Sequence, residues 1–252
     1  IQSKPIQEEE KDECPICLGD IPLDASRFQR FLCCGKGLHN HCAKQLKEVK
    51  SNNIREHCPL CRTKHPTTDE EALKRIQKWV KKKKAWAQAG LGNQYYHGEF
   101  GVKKDVKRAF VLFKLAAAQG YANAQYDLGM MYAKGDGTKP DVKRALELFT
   151  LSAEQGLAGA QYSVGAMYAN GKGVEQSLTT AQEWCQKAAA QGDADAIAAL
   201  KRLDEHIRRT TTTSTDDKKE TSSNTSTTPQ EEDRDECPIC LEVVPRSDTK
   251  FL

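Results

Sequence analysis

The chain has 252 residues, enough for one to three domains, and its formal net charge of +3 is too small to indicate nucleic-acid binding. No apolar run approaches the roughly 18 residues of a membrane span, and no signal-peptide pattern opens the sequence. We therefore expect a cytoplasmic or nuclear protein whose partners include neither membrane nor nucleic acid. Because the sequence starts at Ile1 and ends within a repeated motif, we also expect a piece of a longer protein.

Seven of the ten cysteines lie within residues 14–61, in the order CPIC, fifteen residues, CCGKGLHNHC, fifteen residues, CPLC. With one histidine they provide eight candidate metal ligands, enough for two tetrahedral zinc sites. These are Cys14, Cys17, Cys33, Cys34, His39, Cys42, Cys58 and Cys61. Such a short segment buries too little apolar surface to fold without additional stabilisation. Structural zinc provides it through a binding free energy of roughly 10–16 kcal/mol. The alternative, a disulfide framework, fits this spacing poorly.

Residues 14–66 resemble a RING finger, which implies a small α+β module with two zinc ions held in a cross-brace. In that family the ligand pairs alternate between the two ions. The resemblance assigns the first ion to Cys14, Cys17, His39 and Cys42. It assigns the second ion to Cys58 and Cys61, together with donors from the CCGK stretch.

The second site departs from the common RING pattern, because Lys36 stands where a histidine ligand is expected. A protonated lysine has no lone pair to donate. Cys33 and Cys34 together restore the ligand count, and we favour them on ligand softness. His41 is the alternative donor.

The resemblance also implies a ubiquitin-conjugating enzyme as partner. In RING ligases an apolar groove contacts that enzyme, and four side chains here match its positions: Ile16, Leu46, Pro59 and Leu60. Arg62 follows the last cysteine, where active ligases often carry an arginine that orients the enzyme and its ubiquitin. A guanidinium offers five donors in fixed geometry, and positioning alone lowers reaction barriers. The alternative is that these groups only pack around the zinc turns or face solvent.

The same ligand order occurs in PHD fingers, which would make the module a reader of histone tails. PHD fingers carry a tryptophan shortly before the last cysteine pair, whereas Ile54 to His57 occupy that stretch here. The nearest tryptophan is Trp79, and adjacent cysteines fit PHD spacing poorly. The sequence therefore disfavours this reading.

A helix is predicted to start at Thr68, whose side chain forms a capping box with Glu71. The basic residues that follow, from Lys74 to Lys84, are interpreted as the solvated face of this helix, and the alternative is a patch that binds nucleic acid or another anionic surface. Its opposite face would carry four apolar side chains: Leu73, Ile76, Trp79 and Val80.

From about residue 85 the sequence repeats every thirty-six residues, with matching alanines at Ala109, Ala145 and Ala181. Each unit reads as two amphipathic helices separated by glycine-rich breaks, which predicts an all-α solenoid over 67–209. Residues 85–208 resemble Sel-one-like (SLR) repeats, relatives of the tetratricopeptide repeats. Their known use implies capture of a protein substrate. The helix Ala194–Ile207 is predicted to cap the array.

Within the repeats, Cys185 is predicted to be a packing residue because it occupies the position of Phe113 and Phe149. Solenoids bind partners through an extended surface. We predict contacts on the inner helices near Gln125, Asp127, Gln161 and Ser163.

The remaining segments are interpreted from composition and from an internal match. Residues 1–13 form an acidic lead-in, and 210–236, in which thirteen of twenty-seven residues are Ser or Thr, form a linker. Both are predicted to be disordered. Residues 237–252 repeat the start of the first module, so Cys237 and Cys240 are interpreted as the first two ligands of a second, incomplete RING finger.

Taken together, these patterns predict a RING-type ubiquitin ligase that transfers ubiquitin without a covalent ligase intermediate. The alternative is a non-catalytic scaffold in which the zinc module and the SLR repeats only bind proteins. The substrate, the preferred conjugating enzyme and the linkage of any ubiquitin chain are not encoded in these motifs.

Overall fold

The computed structural model describes residues 14, 16, 28–48 and 57–216, with the backbone alone for 28–30, 43, 46–48 and 209–216. They divide into two compact units, one ending at Leu157 and the other starting at Ala158. The predictions for 1–13, for Cys17 and for 237–252 with Cys237 and Cys240 lie outside the described residues.

The first unit opens with a short hairpin and a helix. Strand β1 (Phe28–Arg30) pairs antiparallel with β2 (Gly37–His39), and Phe28 lies opposite His39. The turn between them closes through the Gly35 amide, which donates to the Phe31 carbonyl at 2.8 Å. Gly35 has a φ of 74°, a conformation that glycine adopts without strain. Helix α1 (Asn40–Glu48) follows directly.

Helix α2 (Asp69–Lys81) starts where the capping box predicts. The Thr68 hydroxyl accepts from the Glu71 amide at 3.3 Å. The Glu71 carboxylate, however, accepts from the amide of Thr67, one residue before the cap. The predicted apolar face is confirmed: Ile76 is buried, and Trp79 packs beside it in the same cluster.

In the described part of the first unit four further helices follow, and each packs against the next in sequence. They are α3 (Ala85–His97), α4 (Val106–Ala117), α5 (Ala122–Lys134) and α6 (Val142–Glu154). Asp105 and Asp141 cap α4 and α6 by accepting amide hydrogen bonds at 3.0 Å. In the pairs α3–α4 and α5–α6, a glycine of the first helix lies against a phenylalanine ring of the second. Gly129 of α5 lies against Phe149 of α6 in this way. The predicted helical repeat pattern is confirmed here.

The second unit contains α7 (Ala158–Asn170), α8 (Leu178–Ala190) and α9 (Ala194–Asp216). Cys185 is fully buried and faces Gly165, so its predicted packing role is confirmed. Helix α9 differs from the prediction, because it continues past Ile207 into the segment 210–236 predicted as a disordered linker. Extending an existing helix adds one hydrogen bond per residue without a new nucleus, and this stretch contains neither proline nor glycine before Asp216.

None of the helices described here is long and apolar enough to cross a membrane.

Candidate metal centre

Four cysteines from two separate turns converge in the first unit. The sulfur atoms of Cys33, Cys34, Cys58 and Cys61 all lie within 4.8 Å of one another. Cys34 Sγ is 3.8 Å from Cys58 Sγ, and Cys33 Sγ is 3.3 Å from Cys61 Sγ. Zinc–sulfur bonds of about 2.3 Å in a tetrahedron place neighbouring sulfurs about 3.8 Å apart. The donors therefore fit a tetrahedral thiolate site, which we call the four-cysteine cluster.

Each turn is built by its own backbone hydrogen bonds. The Cys58 amide donates to the Thr63 carbonyl at 2.8 Å, and the Arg62 amide donates to the Cys58 carbonyl at 2.9 Å. This geometry places Arg62 at a φ of 61°, a left-handed conformation uncommon for a residue with a side chain. The turn therefore projects Cys58 and Cys61 to one side and leaves Arg62 exposed.

Protonation within the four-cysteine cluster is uneven. Burial raises the pKa of Cys33 and of Cys34, and nearby Cys58 adds to both shifts. Burial also opposes ionisation of Cys61, but its hydrogen bonds with Thr63 and Cys33 outweigh the effect of burial and lower the pKa of Cys61 to about 6. Four adjacent thiolates repel one another, so a bound cation is what would stabilise the fully deprotonated set.

A second group brings together Cys14, His39 and Cys42, whose donor atoms also lie within 4.8 Å of one another. Cys14 and Cys42 are buried. The fourth predicted ligand of this group, Cys17, lies outside the described residues. His41, the alternative donor for the other site, is not in the four-cysteine cluster; its Nε2 lies 3.1 Å from Cys42 Sγ.

The predicted enzyme-binding residues lie in different environments. Ile16 is 41% exposed and so is accessible to a partner. Pro59 and Leu60 are half-buried, and Leu60 packs on the apolar cluster around Cys14. Helix α1 contains Leu46, whose side chain lies outside the described part of the structure.

The predicted contact residues of the repeats are wrong in three of four cases. Gln125 and Gln161 are buried, and their Oε1 atoms accept from Gln155 and Gln191 at 2.6 and 2.8 Å. Ser163 is also buried and donates to the carbonyl of Gly159 within its own helix. The glutamine pairs therefore link α5 to the end of α6 and α7 to the end of α8, and none of the three buried side chains forms an open surface.

Asp127 is the fourth of these residues and keeps some exposure. Burial raises the pKa of Asp127 to about 7, against the opposing effect of a hydrogen bond from Asn93. This carboxyl group therefore changes charge near neutral pH.

Sequence reasoning missed the role of Arg75, which it placed on the solvated face of α2. Its side chain is only 18% exposed and pairs with Glu71 at 2.6 Å. It also donates to the Lys64 carbonyl at 2.7 Å. The Glu71–Arg75 spacing of four residues was a visible signal for the ion pair, but nothing in the pattern pointed to Lys64.

Comparison with known proteins identifies the repeats. The Sel1 repeat family matches residues 87–121, 122–157 and 158–193. These residues therefore form three Sel1 repeats, and the predicted resemblance of this region is confirmed. No curated protein sequence matches the chain.

Several solved structures are similar to the chain. A Sel1 repeat protein from Oxalobacter formigenes is 32% identical, with a TM-score of 0.47 over 50% of this chain and 51% of its own. A protective antigen of uropathogenic Escherichia coli strains, which displays an SLR fold, is 32% identical, with a TM-score of 0.50 over 60% of this chain and 33% of its own. The cysteine-rich protein B of Helicobacter pylori is 18% identical, with a TM-score of 0.42 over 52% and 92% of the two chains. This chain spans about half the length of the first protein and about a third of the second.

Proposed function

We propose that the chain is a RING-type ubiquitin ligase. Its zinc module would dock a ubiquitin-charged conjugating enzyme, and its Sel1 repeats would hold the protein substrate. The repeats support a role in protein–protein interaction, as expected for an array of this kind. The ligase activity rests on the module that precedes them.

The observation that carries the proposal is the interleaving of the two ligand groups. Cys14 belongs to one group and Cys33 to the other; His39 returns to the first, and Cys58 to the second. This alternation supports the proposal, because a cross-brace as implied by the RING resemblance would group the ligands in the same order. Zinc, when bound, would act as structural support for the two turns and would take no part in the transfer of ubiquitin.

Three features support docking of the conjugating enzyme. Ile16 presents an exposed apolar side chain beside Cys14, the first ligand. Pro59 and Leu60 occupy the turn between two ligands and stay half-exposed. Arg62 stands at the end of the same turn with its side chain exposed, so its planar guanidinium is available to contact a partner.

Direct transfer to the substrate agrees with the cysteine inventory. Among the described residues, Cys185 is the one cysteine outside the two ligand groups. It is fully buried, and burial raises its pKa to about 11, so it is not suited to form a thioester. A lysine amine of the substrate would attack the thioester between ubiquitin and the conjugating enzyme, forming an amide bond to ubiquitin and releasing the thiol of that enzyme's cysteine.

The test is discharge of ubiquitin from a panel of charged conjugating enzymes to free lysine, with the zinc-loaded chain added. We expect stimulation by the wild type and a loss of at least tenfold for Ile16→Ala and for Arg62→Ala. Arg62→Lys should remain impaired, because a point charge does not replace a planar fork of donors.

Matched controls separate docking from general surface effects. Val111→Ala removes another exposed apolar side chain, and Lys78→Ala removes another exposed charge. Both should leave discharge unchanged, and all variants should keep two zinc ions. Equal losses in the controls would contradict the assigned roles of Ile16 and Arg62.

A scaffold without ligase activity is the second candidate, and the Sel1 repeats are the observation that favours it. It predicts no stimulated discharge with any conjugating enzyme, although the protein is folded and zinc-loaded. That result would replace the ligase proposal with the scaffold.

A further inference from the structure

The four-cysteine cluster is joined to helix α2 by contacts that neither motif alone explains. The Trp79 indole donates its Nε1 hydrogen to the Leu32 carbonyl at 2.7 Å. Leu32 immediately precedes the ligands Cys33 and Cys34. It also packs in the apolar cluster with Ile76.

The same tryptophan meets the other end of that turn. A Cβ added to Gly35 would lie 3.0–3.3 Å from three ring carbons of Trp79. The turn around Cys33 and Cys34 is therefore held by the indole at Leu32 and again at Gly35. A side chain at position 35 would both collide with the ring and strain the positive φ.

The second turn of the cluster touches α2 as well. Lys64 pairs with His57 across the turn that carries Cys58. The Lys64 carbonyl accepts a hydrogen bond from the Arg75 guanidinium at 2.7 Å. Arg75 is in turn held by Glu71. Both ligand-bearing turns thus rest on one face of one helix, and that helix packs directly on α3 of the repeats.

We infer that Trp79 and Arg75 are positioning residues that couple metal binding at the four-cysteine cluster to the order of α2. This inference rests on the proposed zinc module and deepens it. Metal binding orders the two turns, the ordered turns fix α2, and α2 holds the module in one orientation on the first repeat. By thermodynamic linkage the coupling acts in both directions: α2 also strengthens metal binding.

The first test is hydrogen exchange of the full chain, zinc-loaded and after treatment with a chelator. We expect amides of α2 to exchange at least tenfold faster without zinc, whereas amides of α8 keep their rates. Metal content is measured on the same samples. Two bound zinc ions with unchanged exchange in α2 would overturn this inference alone, and a chain that binds no zinc would overturn the proposed function with it.

The second test measures zinc affinity by competition with a chelator. Trp79→Phe keeps an aromatic ring but removes the donor to Leu32, and should weaken binding at the four-cysteine cluster about fivefold, the effect of one neutral hydrogen bond. Trp184→Phe, the same substitution on α8, is the matched control and should change nothing. Equal affinities of the Trp79→Phe variant and the wild type would overturn the inference.

A double-mutant cycle isolates the contact with Gly35. Gly35→Ala should weaken zinc binding strongly in the wild type and less in a Trp79→Ala background, where the ring is gone. Identical losses in both backgrounds would assign the effect to strain at Gly35 and overturn the role of the ring contact.

Discussion

Adding one methyl group at Gly129 should destabilise the repeats, although alanine is the better helix former. Gly129 lies inside α5, and a Cβ there would be 2.8 Å from Cε1 and 2.9 Å from Cδ1 of Phe149. Phe149 is fully buried, so its rigid ring has no free space to move into. The helix or the ring must shift.

The magnitude follows from two opposing terms. Replacing glycine by alanine within a helix stabilises it by about 1 kcal/mol. Overpacking a filled core destabilises by up to about 3 kcal/mol, and a ring contact at two carbons belongs at the upper end. We expect a net loss of about 2 kcal/mol for Gly129→Ala, the difference between these terms.

Gly90→Ala provides a matched comparison within the first unit. Its Cβ would meet one atom, the Cδ1 methyl of Ile76 at 2.9 Å. A terminal methyl on a flexible side chain moves at little cost, so the gain in helix propensity outweighs the cost of this contact. We expect the free energy of unfolding of this variant to rise by about 0.5 kcal/mol.

Urea unfolding followed by circular dichroism, with zinc held in excess, measures both variants. Gly129→Ala should also become less harmful when combined with Phe149→Leu, which removes the ring. If the two alanine variants changed stability equally, or if Phe149→Leu gave no relief, the argument from the ring contact would be refuted.

Three further predictions concern single side chains. Because burial raises the pKa of Asp127 to about 7, its folded form favours the proton, and its contribution to stability is lost as pH rises from about 4 to 7. Asp127→Asn should therefore raise the free energy of unfolding in urea by about 1–2 kcal/mol at pH 8 and leave it unchanged at pH 4, and the exposed Glu147→Gln is the control. Ser152→Ala removes a buried hydrogen bond of 2.9 Å to the Ala122 carbonyl. It should lower the free energy of unfolding, measured in urea, by about 1 kcal/mol. Cys185 should resist alkylation in the native protein and react only on unfolding, as peptide mass spectrometry would show; rapid native labelling would contradict its burial.

The sequence by itself determined the features that depend on local spacing. Pairs of cysteines separated by two intervening residues indicate metal ligands, and a thirty-six-residue period is visible without knowing how helices pack. The caps at Thr68 and Asp105 follow from the same local logic, because a cap bonds amides only two or three residues away.

Only the tertiary structure decided which polar groups are enclosed when helix faces meet. The sequence predicted Gln125 as an exposed contact residue, but it is buried and accepts a hydrogen bond from Gln155, thirty residues away. The sequence placed Arg75 on a solvated face, whereas its guanidinium donates to the Lys64 carbonyl. Cys34 contacts Cys58, which lies twenty-four residues further along the chain. Hydrophobic periodicity predicts that a face is buried, but a polar side chain at its edge has no period of its own. Its partner depends on the docking of two elements, and the partner decides whether it faces a ligand or a neighbouring helix.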